Sequence, residues 1–187
     1  MTELTVLWLP ILVSAVFVFM ASSIIHMGPL WHRNDYAKLP RQDEAMDVLR
    51  SFAIPPGDYL FPRHGSMADM SSAEFLEKRT KGPVGLLTVL PSGKAAMTGQ
   101  LVQWFVFNLV VGLFSAYVAG QALAPGADYL RVFQFAGATA FFCYSIALWE
   151  MSIWFGRGWS LSIKGTLDGL IYACLTAGAF GWLWPTL

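Results

Sequence analysis

His26, His32 and Asp35 fall within one short segment, HMGPLWHRND. Imidazole nitrogens and carboxylate oxygens are natural ligands for zinc or iron. The six-residue step from His26 to His32 crosses Gly28-Pro29, however, so the two rings are not a helical i, i+4 pair. No HExxH or ExxH signature accompanies them. A metal ion held by His26, His32 and Asp35 is therefore the lesser expectation, and no other cofactor is expected.

Two more carboxylates lie inside long apolar runs: Glu150 in ALWEMSIWFG and Asp168 in IKGTLDGLIY. Charges within such runs are costly and tend to face a bundle interior, a partner or a water-filled path. With Tyr172 and Thr176, which follow Asp168 at helical spacing, they form a candidate path for a proton, an ion or a substrate. Asn108, Gln134, Tyr144 and Ser145 add polarity on other runs. A structural reading competes with this one. Lys164 precedes Asp168 by four residues and Arg157 follows Glu150 by seven, so both acids have ion-pair partners nearby. Polar side chains also hold membrane helices together by hydrogen bonds.

Other chemistry is excluded. There is no GxGxxG fingerprint, phosphate-binding P-loop or GxSxG elbow. Three histidines, none on opposing mid-run positions, do not suit b-type haem. Net charge is zero, which gives no attraction for nucleic acid.

The elements that must position these residues are legible in the hydropathy. The chain has 187 residues, of which 56% are hydrophobic and 13% charged; soluble domains carry about 25% charged residues. Four runs are long enough to span a bilayer, residues 4–27, 98–123, 129–155 and 163–185. The first has no positive n-region and is read as a retained span. The expected fold is an all-α integral membrane protein with four transmembrane helices in one domain, residues 1–187. Residues 28–97 form a polar loop of 70 residues and are expected to cap the bundle.

That loop holds nine of the twelve Lys and Arg residues, with Arg33, Lys38, Lys81 and Lys94 close to the spans. The positive-inside rule then puts the loop in the cytoplasm and both termini outside, most naturally in a bacterial cytoplasmic membrane. Trp8, Trp182 and Trp184 mark the outer interface, and Trp31, Trp104, Trp154 and Trp159 the inner one. Within the loop, residues 41–53 and 71–81 read as short helices, the second opened by a capping box at Ser71 and Glu74. Residues 84–90 are apolar but too short to span, and are expected to dip into the membrane or cover the bundle mouth. Cys143 and Cys174 read as buried small hydrophobes.

Gly165, Gly169, Ala173, Ala177 and Gly181 recur every fourth residue and stack on one helix face. Small-xxx-small columns let helix backbones approach closely in a bilayer. The first functional expectation is therefore a homo-oligomeric or accessory assembly subunit. Its partners would be membrane lipid and either a second copy or a larger membrane complex. The alternatives are an oligomeric channel or transporter using the Asp168, Glu150, Tyr172 and Thr176 path, and a membrane enzyme with a His/carboxylate metal site.

Overall fold

The computed structural model describes residues 1–28, 31–93 and 97–186. Pro29, between the two histidines, and Lys94, counted among the basic residues, lie outside them. The chain is mostly helical and divides into two compact units, residues 1–37 with 96–187, and residues 38–95.

In the larger unit, α1 is Trp8–Met27, α4 Thr98–Ala122, α5 Tyr129–Phe141, α6 Leu148–Phe155 and α7 Trp159–Trp182. A π-helical turn, Phe142–Ile146, joins α5 to α6. Leu4–Met27, Thr98–Ala122 and Tyr129–Phe155 are long and apolar enough to cross a membrane. Their outward faces are as apolar as their inward ones: Phe17, Met20, Phe114, Val118, Phe142 and Ile153 are all exposed. Helices apolar all round belong in a membrane or a large core. α7 has 24 residues, but its glycines and polar row dilute its apolar character.

The helices form a ring in which α1 touches α4 and α7, and α5 touches α4 and α7. Two apolar clusters fill it, one around Leu7, Val132 and Phe180, the other around Val18, Val111 and Tyr172. Trp184, expected at an interface, is 7% exposed and donates its indole N–H to the Ala124 carbonyl at 3.0 Å. Cys143 and Cys174 are exposed on the helix surfaces, correcting the expectation that they are buried.

The small-residue column is taken up inside this ring. A Cβ on Gly169 would stand 2.0 Å from Ser145 Oγ, one on Gly165 2.8 Å from Leu148 Cδ1, and one on Gly181 2.6 Å from Tyr129 Cε2. Ala173 and Ala177 are buried, and a Cβ on Gly137 of α5 would stand 2.9 Å from that of Ala177. The column thus seats α7 against α5, the π turn and α6. The face expected to meet a second copy or a larger complex is thus occupied within the chain, where α5 supplies a small notch at Gly137.

The smaller unit corrects the all-α expectation. Strands β1, Gly57–Phe61, and β2, Gly85–Val89, pair antiparallel with Tyr59 opposite Leu87. The run expected at the membrane or the bundle mouth is therefore half of a hairpin-like sheet. Its burial alternates residue by residue, the period of a strand, and the pairing satisfies its backbone groups. The expected helices are present as α2, Gln42–Ser51, and α3, Ala73–Lys81. The α3 cap is Ser72 rather than Ser71, because Ser72 Oγ accepts from Phe75 N–H at 3.2 Å. Glu74 bonds Lys78 at 2.6 Å instead of reaching back. Ser72→Ala should destabilise the smaller unit by about 1 kcal/mol. A urea titration that shows no shift in its midpoint would contradict this.

Candidate metal centre

The end of α1, the segment just after it and the first turns of α7 bring seven hydrogen-bonding side chains together, those of His26, Trp31, His32, Asp35, Lys164, Asp168 and Tyr172. Asp168 is 3% exposed. Its Oδ2 lies 2.7 Å from His32 Nε2, and its Oδ1 accepts the Trp31 indole N–H at 3.0 Å. The other ring nitrogen of His32, Nδ1, lies 2.5 Å from Asp35 Oδ2. Lys164 Nζ donates to Asp35 Oδ1 and to the Trp31 carbonyl, both at 2.6 Å. His26 is tilted against His32 with ring centroids 4.5 Å apart, and its Nε2 lies 3.3 Å from the Tyr172 hydroxyl.

The local sequence explains this placement. Asp168 and Lys164 are one helical turn apart and project from the same side of α7. His32 and Asp35 sit in a turn closed by the Asp35 N–H to the His32 carbonyl at 3.1 Å. That turn points the carboxylate back at its own histidine.

Both nitrogens of His32 face carboxylates, and an imidazole can donate both bonds only as the cation. Partial burial opposes that charge, but the hydrogen bonds to Asp35 and Asp168 outweigh it and raise the His32 pKa above the ordinary imidazole value. Asp35 is held below the usual carboxylate range, first by Lys164 and then by His32.

His26, His32 and Asp168 each offer one ligand atom, and all three atoms lie within 4.8 Å of one another. Asp35, expected as a ligand, instead stands behind His32 and orients it. This is the carboxylate–histidine arrangement that fixes ring orientation and raises basicity at metal sites.

A cavity of about 570 Å³ opens beside the cluster. His26, His32, Asp35 and Asp168 form its polar end; Trp104, Phe107, Tyr144 and Tyr172 form an aromatic wall. The wall is built by edge and stacking contacts, with Tyr144 and Tyr172 at 5.5 Å and Trp104 and Phe107 at 5.6 Å between ring centroids.

Of the expected path, Asp168 and Tyr172 reach this site. Thr176 does not line the cavity; it is buried and bonds back to the Tyr172 carbonyl at 2.9 Å. Glu150 is exposed and takes no part, which corrects its placement beside Asp168. Fourteen residues beyond the buried Ala136 is about four α-helical turns, so an uninterrupted helix would turn Glu150 inward. The π turn adds one residue and rotates everything after it by about 100°.

Sequence reasoning missed three contributors. Lys164 serves Asp35 rather than Asp168. Trp31 acts through its N–H and not as an interface marker alone, and Arg157 lines the cavity. For Trp31 the available signal was its place beside His32 in LWHRND; for Lys164 and Arg157 it was their being two basic residues close to Asp168 in an apolar stretch.

Compared with known proteins, the chain matches no family model, no curated protein and no solved structure.

Proposed function

We propose that this chain is an integral membrane metalloprotein of the hydrolytic kind, with His26, His32 and Asp168 as ligands of one divalent ion, most simply zinc. The observation that carries the reading is that these three donors converge within 4.8 Å beside an open cavity while Asp35 and Lys164 support His32 from behind. Three protein ligands and a fourth position left open are the pattern of catalytic zinc. The hydrogen bond between His32 Nε2 and Asp168 Oδ2 marks the place the ion would take. Those two atoms need only part from 2.7 Å to about 3.3 Å, the edge of a tetrahedron with ordinary zinc bonds. His32 then gives up its Nε2 proton and keeps Nδ1–H on Asp35.

Held by His26, His32 and Asp168, such an ion would supply Lewis acidity and an activated water at the open position. Asp35 would keep the His32 ring oriented toward it through Nδ1.

The reading includes the full topology expected from sequence. α7 would be a fourth span beside the three apolar ones, since 24 helical residues measure about 36 Å. The basic residues of 28–97 support a cytoplasmic loop, both termini outside and a bacterial cytoplasmic membrane. A homo-oligomer or a place in a larger complex would have to use a surface other than the α7 column. A transport path would need polar residues beyond Tyr172, and Thr176 is occupied by its own helix.

The test is metal content. Protein purified in lipid nanodiscs and dialysed against micromolar Zn²⁺ should retain about one ion per chain, and Co²⁺ should give the visible bands of a tetrahedral site. A chain that keeps no metal above the background of a Cys- and His-free control protein would sink the reading.

A further inference from the structure

Resting on the metal site proposed above, we infer that its ligand is an anionic amphiphile, with the head at the metal and the chain in a groove between α4 and α5. Three independent features point there.

The first is charge. Arg157 is half-buried in the cavity wall and makes no ion pair among the described residues. Its backbone is fixed: Gly156 closes α6 in the left-handed conformation at φ 67°, and Arg157 N–H bonds the Met151 carbonyl at 3.1 Å. With an ion bound, Lys164 offsets Asp35 and Arg157 offsets Asp168, leaving the two positive charges of the metal. A phosphate or carboxylate head balances that excess, and Arg157 offers it a bidentate donor pair.

Access is the second. Phe107 and Cys143 line the cavity, and both are exposed residues of helices apolar enough to cross a membrane. On the inference, that exposure is a side opening between α4 and the π turn, through which a lipid would enter without leaving the bilayer.

The third is continuity. A second cavity, also about 570 Å³, shares Cys143 with the first and is lined by Val118 on α4, Phe135 and Ala138 on α5 and Phe142 at the start of the π turn. It reaches Arg131, twelve residues from Cys143 and so about 18 Å along the helix. A groove of that length and lining suits an alkyl chain, and it begins where the polar cavity ends.

The experiment is native mass spectrometry of the zinc-equilibrated chain with three C12 probes: dodecyl phosphate, dodecyltrimethylammonium and dodecyl maltoside. One spectrum reads zinc and probe separately. The wild type should hold one dodecyl phosphate in clear preference to the other two. Arg157→Gln should weaken that binding at least tenfold with the zinc peak retained. Ala138→Trp, which fills the groove, should weaken dodecyl phosphate while leaving methyl phosphate unchanged. Ala138 is exposed and Arg157 half-buried in the cavity wall; an unchanged melting temperature checks the fold of each variant. Equal binding of the cationic or neutral probe, or an unchanged affinity in Arg157→Gln, overturns the inference. Absence of zinc with Arg157-dependent dodecyl phosphate binding would instead remove the metal reading and keep the anionic ligand.

Discussion

His32→Ala should abolish stoichiometric metal binding, because it removes one of the three proposed ligands and leaves only His26 and Asp168. Asp168 would lose the partner at 2.7 Å that faces it, and Asp35 would lose one of its two. Bound zinc should drop from about one ion per chain to background. Asp35→Asn separates this role from a structural one. It leaves all three proposed ligands in place and changes only the group behind Nδ1, so affinity should fall about 10–100-fold with stoichiometry recoverable at high zinc. Lys164→Met, one bond further out, should have the same sign and a smaller size. Titration with a competing chelator reads all three variants on one scale. If Asp35→Asn binds zinc as tightly as the wild type, His32 is not held for a metal, and the three-residue cluster is an ion-pair network joining α7 to the segment after α1.

Gly169→Leu should be the most destabilising single change in the bundle. A Cβ alone would fall 2.0 Å from Ser145 Oγ, 3.1 Å from Tyr144 Cβ and 3.3 Å from Ser145 Cβ. The near neighbours are atoms close to the backbone of the π turn, which cannot swing aside as a long side-chain tip can. Overpacking of this kind costs about 1–3 kcal/mol or more. The variant should melt well below the wild type, and because Tyr144 lines the cavity, it should also lose ligand binding. Gly165→Ala should be milder, since the contact there is the flexible end of Leu148. Hydrodynamic size is the deciding control. Loss of melting temperature with no change in particle size means that the column works within one chain. A stable variant that merely falls apart into smaller particles would restore the column as an interface between copies.

Several elements could be read directly from residue order. The three apolar spans come from composition over about 20 residues, a property of each segment alone. α2 and α3 were visible in their periodicity and flanking Pro and Gly residues, although the α3 cap moved by one residue. The strand at Gly85–Val89 was not visible. A short apolar run takes its conformation from its partner, and that partner, Gly57–Phe61, lies some 28 residues earlier with no periodic signal of its own.

The site divides in the same way. Sequence alone singled out His26, His32, Asp35, Asp168 and Tyr172, because ionisable and ligand-type residues in an apolar chain stand out by type. It did not determine which of them meet. Asp168 bonds His32 across 136 residues, and Lys164 bonds Asp35 across 129. Those pairings follow from α7 lying against α1, while the small column seats the same helix against Gly137 and the π turn. The same turn rotated Glu150 out of the group, a change of phase that no periodicity count across residues 129–155 can anticipate. Residue types fixed the available chemistry because each type carries its own donors, acceptors and charge. Tertiary structure decided their roles because a ligand set is a matter of ångströms between segments distant in the chain, and only the packing of the helices sets those distances.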